Sequence, residues 1–160
     1  MASTTTKLGN VAFAGLLLLI GLFVLKSFFI ATAPIPEMFS ERLTLEEAID
    51  RSAEKNHVVL AVFTADWCGP CQTYKKNGLT DQRVAQWISK HGEPAYIDLD
   101  LNKELAAEMG VTSVPATFFI YKGEALGAIS GAMSGDNLLS FLSMGLEQAT
   151  LMQASADDSE

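Results

Sequence analysis

The pattern of apolar and polar positions divides this chain into two parts. From Leu8 to Ile30 it is almost wholly apolar, broken by Asn10, Lys26 and Ser27. As a helix this stretch would measure roughly 34 Å at about 1.5 Å per residue, enough to cross a hydrocarbon core about 30 Å thick. A buried core helix would normally carry a polar stripe, and none is present. A cleaved signal peptide is the alternative, since Ala31-Thr32-Ala33 has the small-x-small form of a cleavage site. That cut would leave Pro34 at the new N-terminus, and the apolar run exceeds the usual signal-peptide core of about 7 to 15 residues. The pattern therefore favours an uncleaved anchor over residues 8–33, with residues 1–7 in the cytoplasm. Lys7 lies on the N-terminal side, and Lys26 can snorkel to the far headgroups beside Phe28 and Phe29. The expected arrangement is a single pass through an inner cell membrane, with the rest of the chain on the periplasmic side. Pro34-Ile35-Pro36 opens a stiff linker, residues 34–43.

After the linker the pattern becomes that of a folded domain over residues 44–149. Thr44-Leu45-Glu46-Glu47 is a capping box, and Leu45, Ala48, Ile49 and Ala53 follow at helical spacing to about Lys55. His57 to Thr64 is a β-branched apolar run without alternation, which suits a central strand covered on both faces. A short helix closing at Gly78 and a second helix over 81–90 capped by Thr80 come next. Pro94 to Leu101 reads as a strand, and Asn102 to Gly110 as a short helix. Ala116 to Ser130 reads as a hairpin turning at Lys122-Gly123. Ser134 to Ala149 is a last amphipathic helix, and the polar, acidic residues 150–160 read as a disordered tail. Strands alternating with helices, then a closing hairpin, predict an α/β domain with a mixed sheet of about four to five strands and helices on both faces.

Charge narrows the partners. All 19 acidic residues lie after residue 34, with all but two of the 11 basic ones. So acidic a domain lacks the basic patch that nucleic acid or an anionic lipid surface requires. Its charge is a solubility device.

Candidate chemistry is concentrated at Cys68 and Cys71, the only two cysteines, set between the apolar strand and a helix start. There the helix dipole and free N–H groups favour a thiolate at Cys68, the species that attacks a disulfide. Cys71, one turn on, faces back and can resolve the mixed disulfide. Pro70 fits an early helical position at no cost in hydrogen bonds. Gly69 leaves room for a substrate backbone, and Trp67 forms an apolar wall. In Val114-Pro115 an X-Pro bond at the site's edge can be cis and would set the Val114 backbone against a bound chain. A structural zinc needs four ligands, and His57 and His91 stand at no finger-like spacing to the cysteines. No metal is expected, and both histidines read as plain surface residues.

"ADWCGPC", followed about 42 residues later by "SVPATFFIYKGEALGAISGAMS", resembles the thioredoxin superfamily over about residues 40–147. The resemblance implies the thioredoxin fold, with Pro115 as the family's cis-proline opposite Cys68 and Gly131 as the glycine beside the substrate groove. It implies no cofactor beyond a redox-active Cys68–Cys71 disulfide. The family's buried aspartate, six residues before the first cysteine, is here Val62, and its partner lysine aligns with Tyr96. Asp66 is then a candidate proton-transfer group, against the plainer reading of a solvated acid at the rim. "NGLTDQRV", in place of a kinking proline, is similar to the C-terminal thioredoxin-like domain of the DsbD transmembrane reductase. The expected function is a membrane-tethered thiol–disulfide oxidoreductase that reduces disulfides in extracytoplasmic proteins. It would be recharged by a membrane electron donor of the DsbD or CcdA kind and would contact the bilayer through residues 8–33. Alternatives are a disulfide oxidant or isomerase, and a redox-inactive tethered binding module.

Overall fold

Strand β1 (Val58–Thr64) is buried along its whole length, and the second of two units, residues 33–160, is built around it. The computed structural model describes residues 13–22 and 32–157. In the first unit, residues 1–32, the described residues 13–22 form helix α1, on which Phe13, Leu16 to Ile20 and Leu22 are each half or more exposed. Among the described residues no helix is long and apolar enough to cross a membrane. The span read over residues 8–33 includes 8–12 and 23–31, which lie outside the described residues, as do Lys7, Lys26, Phe28 and Phe29.

In the domain, helix α2 (Leu45–Lys55) starts at the expected capping box, with Thr44 Oγ1 accepting from the Glu47 N–H and Glu47 Oε2 from the Thr44 N–H. After β1 come α3 (Gly69–Lys76), α4 (Gln82–His91), β2 (Gly92–Asp98), α5 (Lys103–Glu108), β3 (Ala116–Tyr121), β4 (Glu124–Ser130) and α6 (Gly135–Asp157). The four strands lie in the order β2-β1-β3-β4, with β1 parallel to β2 and antiparallel to β3. This is the thioredoxin fold, and its sheet is at the lower end of the expected strand number. The β3–β4 turn needs positive φ at both central residues, and Lys122 (φ 52°) and Gly123 (φ 81°) supply it.

Because strand side chains alternate, β1 feeds two cores. Val58, Leu60 and Val62 pack on one face with Tyr74, Val84, Ile88, Leu138 and Leu142 from α3, α4 and α6. Val59, Ala61 and Phe63 pack on the other with Leu45, Ala48 and Ala106 from α2 and α5. Burial on both faces explains the missing alternation in the β1 sequence.

Several boundaries differ from the sequence reading. Residues 34–43 are part of the domain rather than a spacer. A 3-10 turn at Glu37–Phe39 carries Phe39 into the core at 1% exposure, edge-on to Tyr96 at 5.5 Å. The cap of α4 is Asp81, whose carboxylate accepts from the Arg83 N–H, while Thr80 donates back to the carbonyls that end α3. Strand β2 starts early, at Gly92, and tolerates Pro94 because it is an edge strand. The tail read as disordered from residue 150 is helical to Asp157. Ala149 is buried, and Tyr121 Oη donates to Gln153 Oε1 at 2.8 Å, which holds the extra turns against β3. Residues 158–160 lie outside the described residues.

Candidate redox site

The end of β1 delivers the chain into a short loop, Ala65-Asp66-Trp67, and then into α3. Cys68 is the N-cap of α3 in extended conformation, and its sulfur accepts from the Cys71 N–H at 3.1 Å. Pro70 occupies the first turn, where its missing N–H costs nothing. Cys68 and Cys71 form a disulfide, with Cα atoms 5.2 Å apart. The pair is buried, at 4% and 1% exposure, among Ala65, Leu99 and Val114. The N–H groups and positive end of the helix therefore point at sulfur, which favours a thiolate once the bond is reduced.

Five further residues named from sequence lie around this pair. The Val114–Pro115 peptide is cis, and the Val114 carbonyl oxygen lies 3.4 Å from Cys68 Sγ. Gly131, with φ at +102°, sits in the left-handed region that favours glycine, and its N–H donates to the Pro115 carbonyl at 2.7 Å. Gly69 faces open space, so a Cβ there would meet nothing. Trp67 is 68% exposed, and its indole N–H donates to Asp100 Oδ2 at 2.9 Å.

Val62 is fully buried and pairs with Tyr96 in the β1–β2 register. The two positions at which the family carries an acid and a lysine are thus strand neighbours here, without either charge. Asp66 is exposed, but it is not merely solvated, since its Oδ1 accepts from Lys75 Nζ at 3.2 Å. Lys75 is itself buried, with 2% of its side chain exposed, and stands 5.6 Å from the centroid of the Tyr96 ring. Burial opposes the charge on Lys75, but its contacts with Tyr96 and Asp66 outweigh this and hold its pKa above the ordinary lysine value. Gln72, also buried, donates to the Asp66 carbonyl at 2.9 Å and accepts from the Ala33 N–H at 2.6 Å.

Gln72 and Lys75 were missed in the sequence. A signal was present: Lys75 follows Cys71 by four residues, which places both on one helix face, and Cys71 faces inward. The histidines are not plain surface residues either. His57 Nδ1 lies 3.0 Å from the carboxylate of buried Glu93, which also accepts from Lys55 Nζ at 2.8 Å, and His91 packs on Trp87 with ring centroids 5.0 Å apart. Among the described residues no group of three or more His, Cys, Asp or Glu is placed to hold a metal ion.

Comparison with known proteins agrees with this geometry. Residues 45–145 match the thioredoxin-like domain family. Probable thioredoxin-2 of Caenorhabditis elegans is 28% identical over 105 residues, covering 62% of this chain and 66% of that protein. Thioredoxin of Oryctolagus cuniculus is 29% identical over 100 residues, covering 60% of this chain and 86% of that one. Mitochondrial thioredoxin of Mus musculus is 31% identical over 96 residues, and the match covers 58% of this chain and 54% of that one. Among solved structures, a thioredoxin from Thermus thermophilus superposes with a TM-score of 0.61 at 21% identity, over 66% of this chain and 86% of that one. A DsbH oxidoreductase does so with 0.60 at 20% identity, over 74% and 89%. At such identities the structural likeness speaks for the fold alone. Carrying its Cys68–Cys71 pair at disulfide distance on the N-terminus of α3, the chain belongs to the thioredoxin-like family and is a thioredoxin-like redox protein.

Proposed function

We propose that the protein is a membrane-tethered thiol–disulfide oxidoreductase that reduces disulfides of extracytoplasmic proteins. The observation that carries this reading is the Cys68–Cys71 pair at a helix N-terminus, with Cys68 beside the Val114 carbonyl and next to the open face at Gly69 and Trp67. In the reduced state the Cys68 thiolate attacks a substrate disulfide. A Cys68–substrate bond forms, and one substrate sulfur leaves as thiolate. The Cys71 thiolate then attacks Cys68 Sγ, the Cys68–Cys71 bond forms, and the second substrate sulfur departs. Two protein thiols are oxidised and one substrate disulfide is reduced, and the protons given up by the cysteines are returned to the substrate thiols through water. Val114, Pro115, Gly131, Gly69 and Trp67 line the groove in which a substrate chain would lie.

Tethering is supported by the apolar run at residues 8–30 and by the exposed apolar side chains of α1. A helix apolar on every side calls for a lipid or protein partner. An anchor holds the dithiol near a membrane electron donor of the DsbD or CcdA kind, which a reductase in an oxidising compartment requires.

Insulin turbidity with dithiothreitol tests the redox reading. Catalysis by the wild type and its loss in Cys68→Ser support it, whereas equal traces would favour the binding module. Capture of mixed-disulfide partners by Cys71→Ala would identify the substrates. A reduction potential near that of a strong oxidant such as DsbA (about −120 mV) would overturn the reducing direction. A reporter fused after Glu160 that worked only in the cytoplasm would overturn the topology.

A further inference from the structure

Among the described residues Lys75 is the only lysine in the buried class, and nothing in the exchange reaction outlined above employs it. An ammonium taken out of water is costly unless it is paired, so its place in the fold calls for an explanation. The buried residues of α3 are Cys71, Gln72, Tyr74 and Lys75. Cys71 and Lys75 are therefore neighbours on the inward face, with Cβ atoms at a spacing of about 5–6 Å. Side chains on a helix lean toward its N-terminus, and the ammonium follows that direction. It reaches Asp66 Oδ1, two residues ahead of Cys68, at 3.2 Å, and the Ala33 carbonyl at 3.5 Å. The cation thus lies alongside the turn that carries Cys71.

The charges around it do not cancel within the protein. Asp66, from the loop after β1, is 67% exposed, so water screens its carboxylate, while the ammonium has almost no solvent of its own. From β2 the facing titratable group is Tyr96. On β1, Val62, the strand partner of Tyr96, carries no charge, and the cysteines are otherwise packed by Ala65, Leu99 and Val114. Asp100, beyond β2, is engaged with the Trp67 indole.

We propose that Lys75 is a positioning residue for the dithiol exchange, its buried ammonium stabilising the Cys71 thiolate that must form before the mixed disulfide is resolved. A carboxylate at position 62 would accept the Cys71 proton, whereas a cation beside the turn achieves the same end by stabilising the anion that remains. The proton passes to solvent. The Cys71–Cys68 bond then forms as the Cys68–substrate bond breaks, with the substrate sulfur leaving as thiolate and taking a proton from water. This inference rests on the dithiol-exchange reading of the site.

The test is a pH titration of Cys71 by ultraviolet thiolate absorbance in full-length Cys68→Ala protein, where Cys71 is the single thiol. It reads the thiol whether or not the protein reduces disulfides, so its outcome is separate from that of the insulin assay. Adding Lys75→Met is expected to raise the midpoint by about one pH unit, a roughly tenfold loss of thiolate at a pH well below it. Lys75→Arg keeps the midpoint near the parent value. Asp66→Asn removes the nearby carboxylate and lowers the midpoint, the direction expected for loss of a negative charge. Coincident curves for the parent and Lys75→Met, or a raised midpoint in Asp66→Asn, would overturn the proposal. Should Lys75→Met not fold, as judged by circular dichroism, Lys75→Gln takes its place, with a raised midpoint expected and a curve coincident with the parent overturning the proposal.

Discussion

Val62 and Tyr96 are paired neighbours on β1 and β2, and Val62 is wholly enclosed beneath the helix that carries the dithiol. A carboxylate at position 62 would be buried on the face that holds Tyr74, Phe39 and Leu142. Val62→Asp is therefore expected to cost about 2–4 kcal/mol of stability, with Lys75 offsetting only part of the desolvation. Urea unfolding at neutral pH measures it, and a loss below about 0.5 kcal/mol would show that the site already accommodates an acid.

Trp67 contributes exposed apolar surface rather than core. Trp67→Ala should leave the unfolding free energy within about 0.5 kcal/mol of wild type, because two thirds of the side chain already meets solvent. It should also lower kcat/KM for insulin reduction about tenfold, the equivalent of ~1.4 kcal/mol of lost contact with the substrate. A fall in stability with no fall in kcat/KM would assign Trp67 to the fold instead.

Burial pushes the Tyr74 phenol up to about 12, an effect that its hydrogen bond with Thr117 Oγ1 (3.1 Å) only partly offsets. The folded value lies above the ordinary 10.0, so the neutral phenol is favoured in the native state. The associated stability is complete below pH 10 and is lost as pH rises toward about 12, in total about 2–3 kcal/mol. Tyr74→Phe should cost about 1 kcal/mol at neutral pH, by stranding the Thr117 hydroxyl, and should flatten the alkaline limb. Unfolding midpoints against pH for the two proteins check both statements.

Glu93 behaves in the opposite sense. Burial alone would raise its pKa, but Lys55 and His57 on the carboxylate outweigh burial and bring it below the ordinary 4.5. A depressed carboxylate contributes stability above its unfolded value that disappears as pH falls through the folded one. Glu93→Gln should therefore cost about 1–3 kcal/mol at neutral pH and make unfolding less sensitive to acid below pH 4.5. Parallel pH profiles for wild type and variant would contradict the assignment.

The parts of the fold legible in advance were those whose cause is local. The Thr44–Glu47 box, the Lys122-Gly123 turn and the apolar β1 run each contain their own stereochemical reason. The Cys-Gly-Pro-Cys motif is likewise local, since a helix N-terminus and its cap need only consecutive residues. Thr80 and Asp81 both qualify as the cap of α4 by sequence, and Asp81 takes the role because the Thr80 hydroxyl closes the end of α3 instead.

By itself the sequence determined the order of strands and helices and the position of the dithiol, because periodicity and cap chemistry act over a few residues, while the acid missing at Val62 was legible only through the resemblance to the thioredoxin superfamily. Only the tertiary structure decided where the charges and the ends went. Lys75 is buried only because Ala33 and Tyr96, distant in sequence, close around it beside the nearer Asp66. Residues 34–43 read as a linker until Phe39 finds Tyr96, and residues 150–157 read as a tail until Gln153 meets Tyr121. In each case the deciding free energy is burial or pairing against a partner tens of residues away. Such terms are set by the packed sheet and helices, not by any local run of the chain.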